Sequence, residues 1–163
     1  AKTLGGRESK VLILTGTPGA ASAEDRTKGM NATLPKYPNI KVLAVQTGFY
    51  DRAKTVGVAE NMLQRHPDAE AILCHNDEMA MGALAAARAQ KRTVRITGMD
   101  ANPDAVKAVE AGELFMTIAL PPYDIGRTGV QFAQRKLKGE TVPERHIMEV
   151  TFLTKDNVAK FKR

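Results

Sequence analysis

An alternation constrains this chain more than any single motif. Short apolar runs recur at Lys10–Thr15 (KVLILT), Ile40–Gln46, Glu70–Asn76, Val94–Met99 and Leu114–Leu120, and a stretch with helical signals follows each. Runs that stay apolar rather than alternating suit strands covered on both faces of a parallel sheet. Five βα alternations predict an α/β chain, doubly wound around a mainly parallel sheet of five to six strands with helices on both faces.

The helical stretches carry their own punctuation. One runs from near Ser22 to Leu34, with Pro35 expected to end it. Asp51 caps the next, whose apolar positions Val56, Ala59, Met62 and Leu63 keep helical spacing up to Pro67. The third covers Asp77–Gln90, and Asn102-Pro103 opens a fourth that Gly112 closes. Gly16-Thr17-Pro18-Gly19 reads as a turn and not as a phosphate loop, since no Gly-Lys-Ser/Thr follows. Pro121-Pro122 breaks the pattern. Tyr123–Lys138 is helical but carries Gly126 and Gly129 and a thin apolar face of Ile125, Val130, Ala133 and Leu137. Ile147–Leu153 alternates like a strand, and Lys155–Phe161 reads as a short last helix.

Composition narrows the function classes. The 163 residues are 43% hydrophobic and 26% charged, ordinary for one globular domain. No apolar run approaches the roughly 20 residues needed to span a bilayer. Ala1–Lys10 is polar and lacks a secretory signal pattern, so the numbered chain reads as mature, cytoplasmic or a fragment. The net charge of +6 is spread along the chain, with modest clusters at Arg135–Lys138 and Lys160–Arg163. Without Trp there is no visible base-stacking platform, and no nucleic-acid partner is expected. The lone Cys74 leaves the redox compartment undetermined.

The most informative stretch is Cys74–Leu84, CHNDEMAMGAL. It places Asn76 at the carboxyl end of a strand and at the start of a helix, with Asn76 and Asp77 supplying cap chemistry. In open α/β sheets that rim is where ligands bind. Arg26, Tyr50, Asn76 and Asp100 all fall at carboxyl ends of strands or on the helices just after them. Together they offer donors, acceptors and an aromatic face, the set a sugar needs. Read blandly, Asn76 and Asp100 are helix caps and Arg26 a solvated charge. No catalytic residue, metal set or cofactor fingerprint is visible. Cys74 and His75 are strand neighbours pointing to opposite faces, so they form no dyad. Cys74 reads as a small core residue, His75 as satisfied by a local hydrogen bond, and Met79, Met81 and Met116 as core fillers.

N-D-E-M-A-M-G-A-L at Asn76–Leu84 resembles the N-D-x-M-A-x-G-A-L stretch of periplasmic sugar-binding proteins of the ribose-binding type. Lys10–Gly16, Asp25–Gly29, Tyr50–Lys54, His66–Leu84, Thr97–Asp104, Gly112–Ala119 and Leu137–Val142 are similar to the same pattern, in order. The resemblance implies a flavodoxin-like lobe, the second of two, without the first. Residues 1–120 would form that lobe, 121–146 a crossover helix that packs on the first lobe, and 147–163 a returning strand and tail. It also implies ligand contacts at Arg26, Tyr50, Asn76 and Asp100, with Phe49 and Leu120 as further candidates. At Leu120 the family often has Gln, which puts ribose itself in doubt.

The expected function is therefore a solute receptor of a sugar ABC transporter, periplasmic, binding a pentose or hexose without chemistry. Its partner would be a membrane permease that reads the closed form. The alternative is the ligand-sensing core of a lac-repressor-type transcription regulator, which would need a helix-turn-helix. A second copy is a further expected partner, through residues 121–153, because the crossover helix has nothing of its own to pack on.

Overall fold

The computed structural model describes residues 7–161. The polar start at Ala1–Gly6 and the end of the Lys160–Arg163 cluster lie outside the described residues. Six strands form one sheet: β1 (Ser9–Thr15), β2 (Ile40–Thr47), β3 (Ala71–Cys74), β4 (Arg95–Thr97), β5 (Met116–Ala119) and β6 (Thr151–Thr154). Their order is β2-β1-β3-β4-β5-β6. The first five are parallel; β6 runs antiparallel to β5, with Ala119 opposite Thr151.

Helices α1 (Ala21–Thr33), α2 (Arg52–Arg65), α3 (Asp77–Ala89) and α4 (Pro103–Glu110) fill the connections. Strand residues sort onto two faces by the pleat. Leu12, Leu14, Ile72, Cys74 and Ile96 point to one face and pack with Ala59, Leu63, Met79, Ala83, Ala105 and Val109 of α2, α3 and α4. Small residues let α2 and α3 approach closely. A Cβ on Gly82 would come within 2.6 Å of the Arg52 carbonyl oxygen. On the other face α1 borders an open groove of about 620 Å³, floored by Leu73, His75, Thr97, Met116 and Ile118.

Local expectations moved in places. Helix α1 stops at Thr33, within a residue of the expected end before Pro35, and Pro35 itself sits in a following 3-10 turn, Leu34–Lys36, where its missing N–H costs nothing. The strands after β2 are shorter than their apolar runs; Leu114 is buried before β5 begins. Thr55, not Val56, joins Ala59, Met62 and Leu63 on the buried face of α2, its hydroxyl bonded to the Asp51 carbonyl. Met116 lines the groove instead of filling the core. The strand expected at Ile147–Leu153 is Thr151–Thr154, and the last helix is one 3-10 turn, Val158–Lys160.

Helix α5 (Pro122–Leu137) differs from the others: none of its residues is buried. Leu137 is 90% exposed and Val130 72%. Because β5 ends and β6 begins at the same rim, α5 leaves the sheet and returns without crossing either face.

Gly82→Ala tests the α2–α3 contact. In an unobstructed helix this change is worth up to about 1 kcal/mol of stabilisation. Here the new methyl meets backbone, and urea denaturation should show a loss of about 1–3 kcal/mol.

Candidate functional site

The carboxyl ends of β1 to β5 share one rim, and the predicted residues assemble there in stages. Arg26, on the second turn of α1, donates from Nη1 to the His75 carbonyl oxygen at 2.6 Å. Its Nη2 lies 3.6 Å from Asp100 Oδ1. Its guanidinium stands 5.7 Å from the centre of the Tyr50 ring, within cation–π range. One cation thus ties together the loops after β2, β3 and β4. Tyr50 Oη pairs with Ser22 Oγ at 3.1 Å.

Asn76 is the N-cap of α3; its Oδ1 accepts from the Met79 N–H at 3.0 Å. Cap and contact roles are compatible, because the cap occupies the oxygen and leaves the Nδ2 donors to a ligand. Asp77 is not part of the cap. It is wholly buried: Oδ1 accepts from Thr117 Oγ1 at 2.7 Å and Oδ2 from the Asn102 N–H at 2.8 Å.

The rim is also where the backbone is least comfortable. Phe49, Tyr50, Lys91, Asp100 and Ala101 are the non-glycine residues with positive φ among the described residues. Four of the five lie in two rim loops, and two are predicted contacts. Strain of this kind concentrates at functional sites and persists only where surrounding bonds over-determine it.

The further candidates stand apart. Phe49 is exposed and neither folds onto the core nor joins the cluster; its ring faces the Lys54 ammonium. Leu120 is half-buried and borders, with Asp100 and Tyr123, a neighbouring cavity of about 820 Å³.

A family profile described as the periplasmic binding protein domain matches residues 1–141. This chain belongs to that family. It is 39% identical over 151 residues to the ribose import binding protein of Salmonella typhimurium, covering 92% of this chain and 51% of that protein. It is 42% identical over 143 residues to the D-allose-binding periplasmic protein of Escherichia coli K12, covering 86% and 46%. An ABC transporter solute-binding protein of Actinobacillus succinogenes, solved with D-allose bound, superposes with a TM-score of 0.92 at 26% identity, covering 99% of this chain and 58% of that one. The chain spans about half the length of the curated relatives it matches.

In this periplasmic binding protein lobe the site charges differ in kind. Burial pushes Asp100 above the usual carboxylate range, while Arg26 pulls the other way. Burial pushes Asp77 further, to about 6, with Thr117 and the Asn102 N–H opposing. His75 is lowered to about 4 by burial and then by Arg26. It is therefore neutral at pH 7 and accepts from the Gly16 N–H at Nδ1, 3.2 Å away; Nε2 has no partner among the described residues. The sequence expectation for His75 holds at one nitrogen only. Burial also raises the Cys74 thiol, which is inert in the core.

Sequence reasoning missed Gly16, Ser22 and Thr117. Gly16 had a signal: it directly follows a strand. Its missing Cβ is what seats Tyr50, since a methyl there would fall 2.0 Å from the ring. Gly16→Ala should displace Tyr50, shifting its ring resonances in NMR spectra, with a stability loss within about 1 kcal/mol because the ring end can swing outward.

The Asp77 carboxyl has a folded pKa above its ordinary value, so its contribution is fully present below about pH 4 and is lost as pH rises through about 6. Measured by urea denaturation across that window, the wild type should lose about 2–3 kcal/mol relative to Asp77→Asn.

Proposed function

We propose that this chain is the sugar-binding lobe of a periplasmic receptor for an ABC importer. The carrying observation is the Arg26 cluster: one guanidinium bound to the His75 carbonyl, beside Asp100 and over the Tyr50 ring, at the carboxyl rim of the sheet. Asp100 would accept from two sugar hydroxyls, Asn76 Nδ2 and Arg26 would donate to sugar oxygens, and Tyr50 would lie against the C–H face. Leu120, which lines a cavity with Asp100, favours a pentose or hexose that turns an apolar edge toward it. The relatives named for ribose and D-allose support this substrate class. The cluster holds and orients; binding without chemistry, followed by closure of a second lobe over the sugar and reading of the closed form by a permease, is the mechanism it serves.

One lobe supplies about half of the contacts and cannot enclose a ligand, so binding by this chain alone should be weak. NMR titration with D-ribose and D-allose should give saturable shifts at Asn76 and Asp100 with dissociation constants well above micromolar. Asp100→Ala should abolish them, since hydroxyls left without an acceptor cost about 1–3 kcal/mol. Sub-micromolar binding by a monomer, or shifts unaffected by Asp100→Ala, would contradict the assignment.

The bare helix α5 supports a second partner: a lobe of the full receptor, or in this chain by itself a second copy through residues 121–153. Ile125, Val130 and Leu137 are exposed along it, and a single uncovered helix is marginal in water. Light scattering over a dilution series should show a concentration-dependent dimer. A strict monomer at millimolar concentration would refute pairing between copies.

A further inference from the structure

The backbone strain at the site has an identifiable restraint. Asp100 has φ +114° and Ala101 φ +56°, both in the left-handed region that side chains disfavour. Three successive N–H groups hold this turn. The Asp100 N–H donates to the Ile118 carbonyl at 2.9 Å, and the Ala101 N–H to Thr117 Oγ1 at 3.3 Å. The Asn102 N–H donates to Asp77 Oδ2 at 2.8 Å. The Thr117 hydroxyl can accept from Ala101 only while its own proton is directed elsewhere, and it is directed to Asp77 Oδ1 at 2.7 Å. Two of the three restraints therefore end on one carboxylate.

Space has been left for that carboxylate. A Cβ on Gly98 would fall 2.1 Å from Asp77 Oδ1. Its backbone is tied to the same strand end, the Asp77 N–H donating to the Met99 carbonyl at 2.8 Å. The first turn of α3 also favours a negative charge there.

We propose that Asp77 is a positioning residue of the sugar site: through the Asn102 N–H and the Thr117 hydroxyl it holds the strained Asp100–Ala101 turn and so aims the Asp100 carboxylate at Arg26 and the ligand. The role in binding rests on the sugar-site reading above; the hold on the turn does not. A carboxylate suits the task because it accepts at both oxygens. An amide accepts at only one and presents a donor to a donor at the other.

The test uses the full chain and two independent sets of variants. Amide hydrogen exchange is followed by NMR without sugar in the wild type, Asp77→Asn, Thr117→Val and Thr117→Ser, and D-allose is then titrated into each. In Asp77→Asn and Thr117→Val, exchange at Ala101 and Asn102 should accelerate about tenfold or more, with Leu12 and Leu14 in β1 unchanged, and allose affinity should fall about tenfold. Thr117→Ser keeps the hydroxyl and should keep both properties.

Wild-type protection of the turn in Asp77→Asn and Thr117→Val would overturn the proposal. So would faster exchange throughout the sheet, which marks a purely structural role, or a loosened turn with unchanged allose affinity. If the wild type gives no saturable shift with any sugar, the sugar reading fails and the binding role of Asp77 with it. Exchange at Ala101 and Asn102 still reports whether Asp77 holds the turn.

Discussion

The parallel βα crossover is the constraint on which everything else here depends. A strand that feeds a helix and returns to a parallel neighbour brings every strand to the sheet in the same direction. In the order β2-β1-β3-β4-β5, the carboxyl ends of five strands therefore share one rim. Arg26, Tyr50, Asn76 and Asp100 are scattered over most of the chain, and no local rule brings them together. The topology does so, and only after that do side-chain contacts matter.

The rim then shows backbone strain held in place by tertiary contacts. Two loops carry left-handed non-glycine residues, and one arginine spans the space between them. Beneath it, Asp77 is a buried carboxyl whose ionisation is made costlier by burial, its pKa pushed up to about 6. A hydrophobic residue there would satisfy the core and leave the Asn102 N–H and the Thr117 hydroxyl unpaired. Retaining a buried acceptor for two donors is the arrangement expected where a precise turn matters more than maximal stability.

The other end of the fold follows a different logic. Helices α2, α3 and α4 bury one face of the sheet with alanines and glycines that permit close approach. Helix α5 buries nothing. Its apolar residues stay exposed, because the chain leaves β5 and enters β6 at one rim and the segment between them is not drawn over either face of the sheet.

Local chemistry in the sequence determined much of this protein. The apolar runs marked the strands, Asp51 and Asn76 the caps, Pro103 and Gly112 the limits of α4, and the β–α alternation the parallel sheet and its rim. These were legible because strand burial, capping and helix breaking depend on residues close in the chain. The boundaries of β3, β4 and β6 were not, since a strand ends where its neighbour stops offering hydrogen bonds. Asn76 and Asp77 looked like equivalent caps in sequence. Only the tertiary structure separated them, turning Asn76 to the rim and Asp77 into the core, where Gly98, Asn102 and Thr117 make room and partners for it. The same holds for Gly16 beneath Tyr50 and for Arg26 between the loops. Such roles depend on contacts between residues distant in sequence, and those contacts exist only once the sheet has brought its strands together.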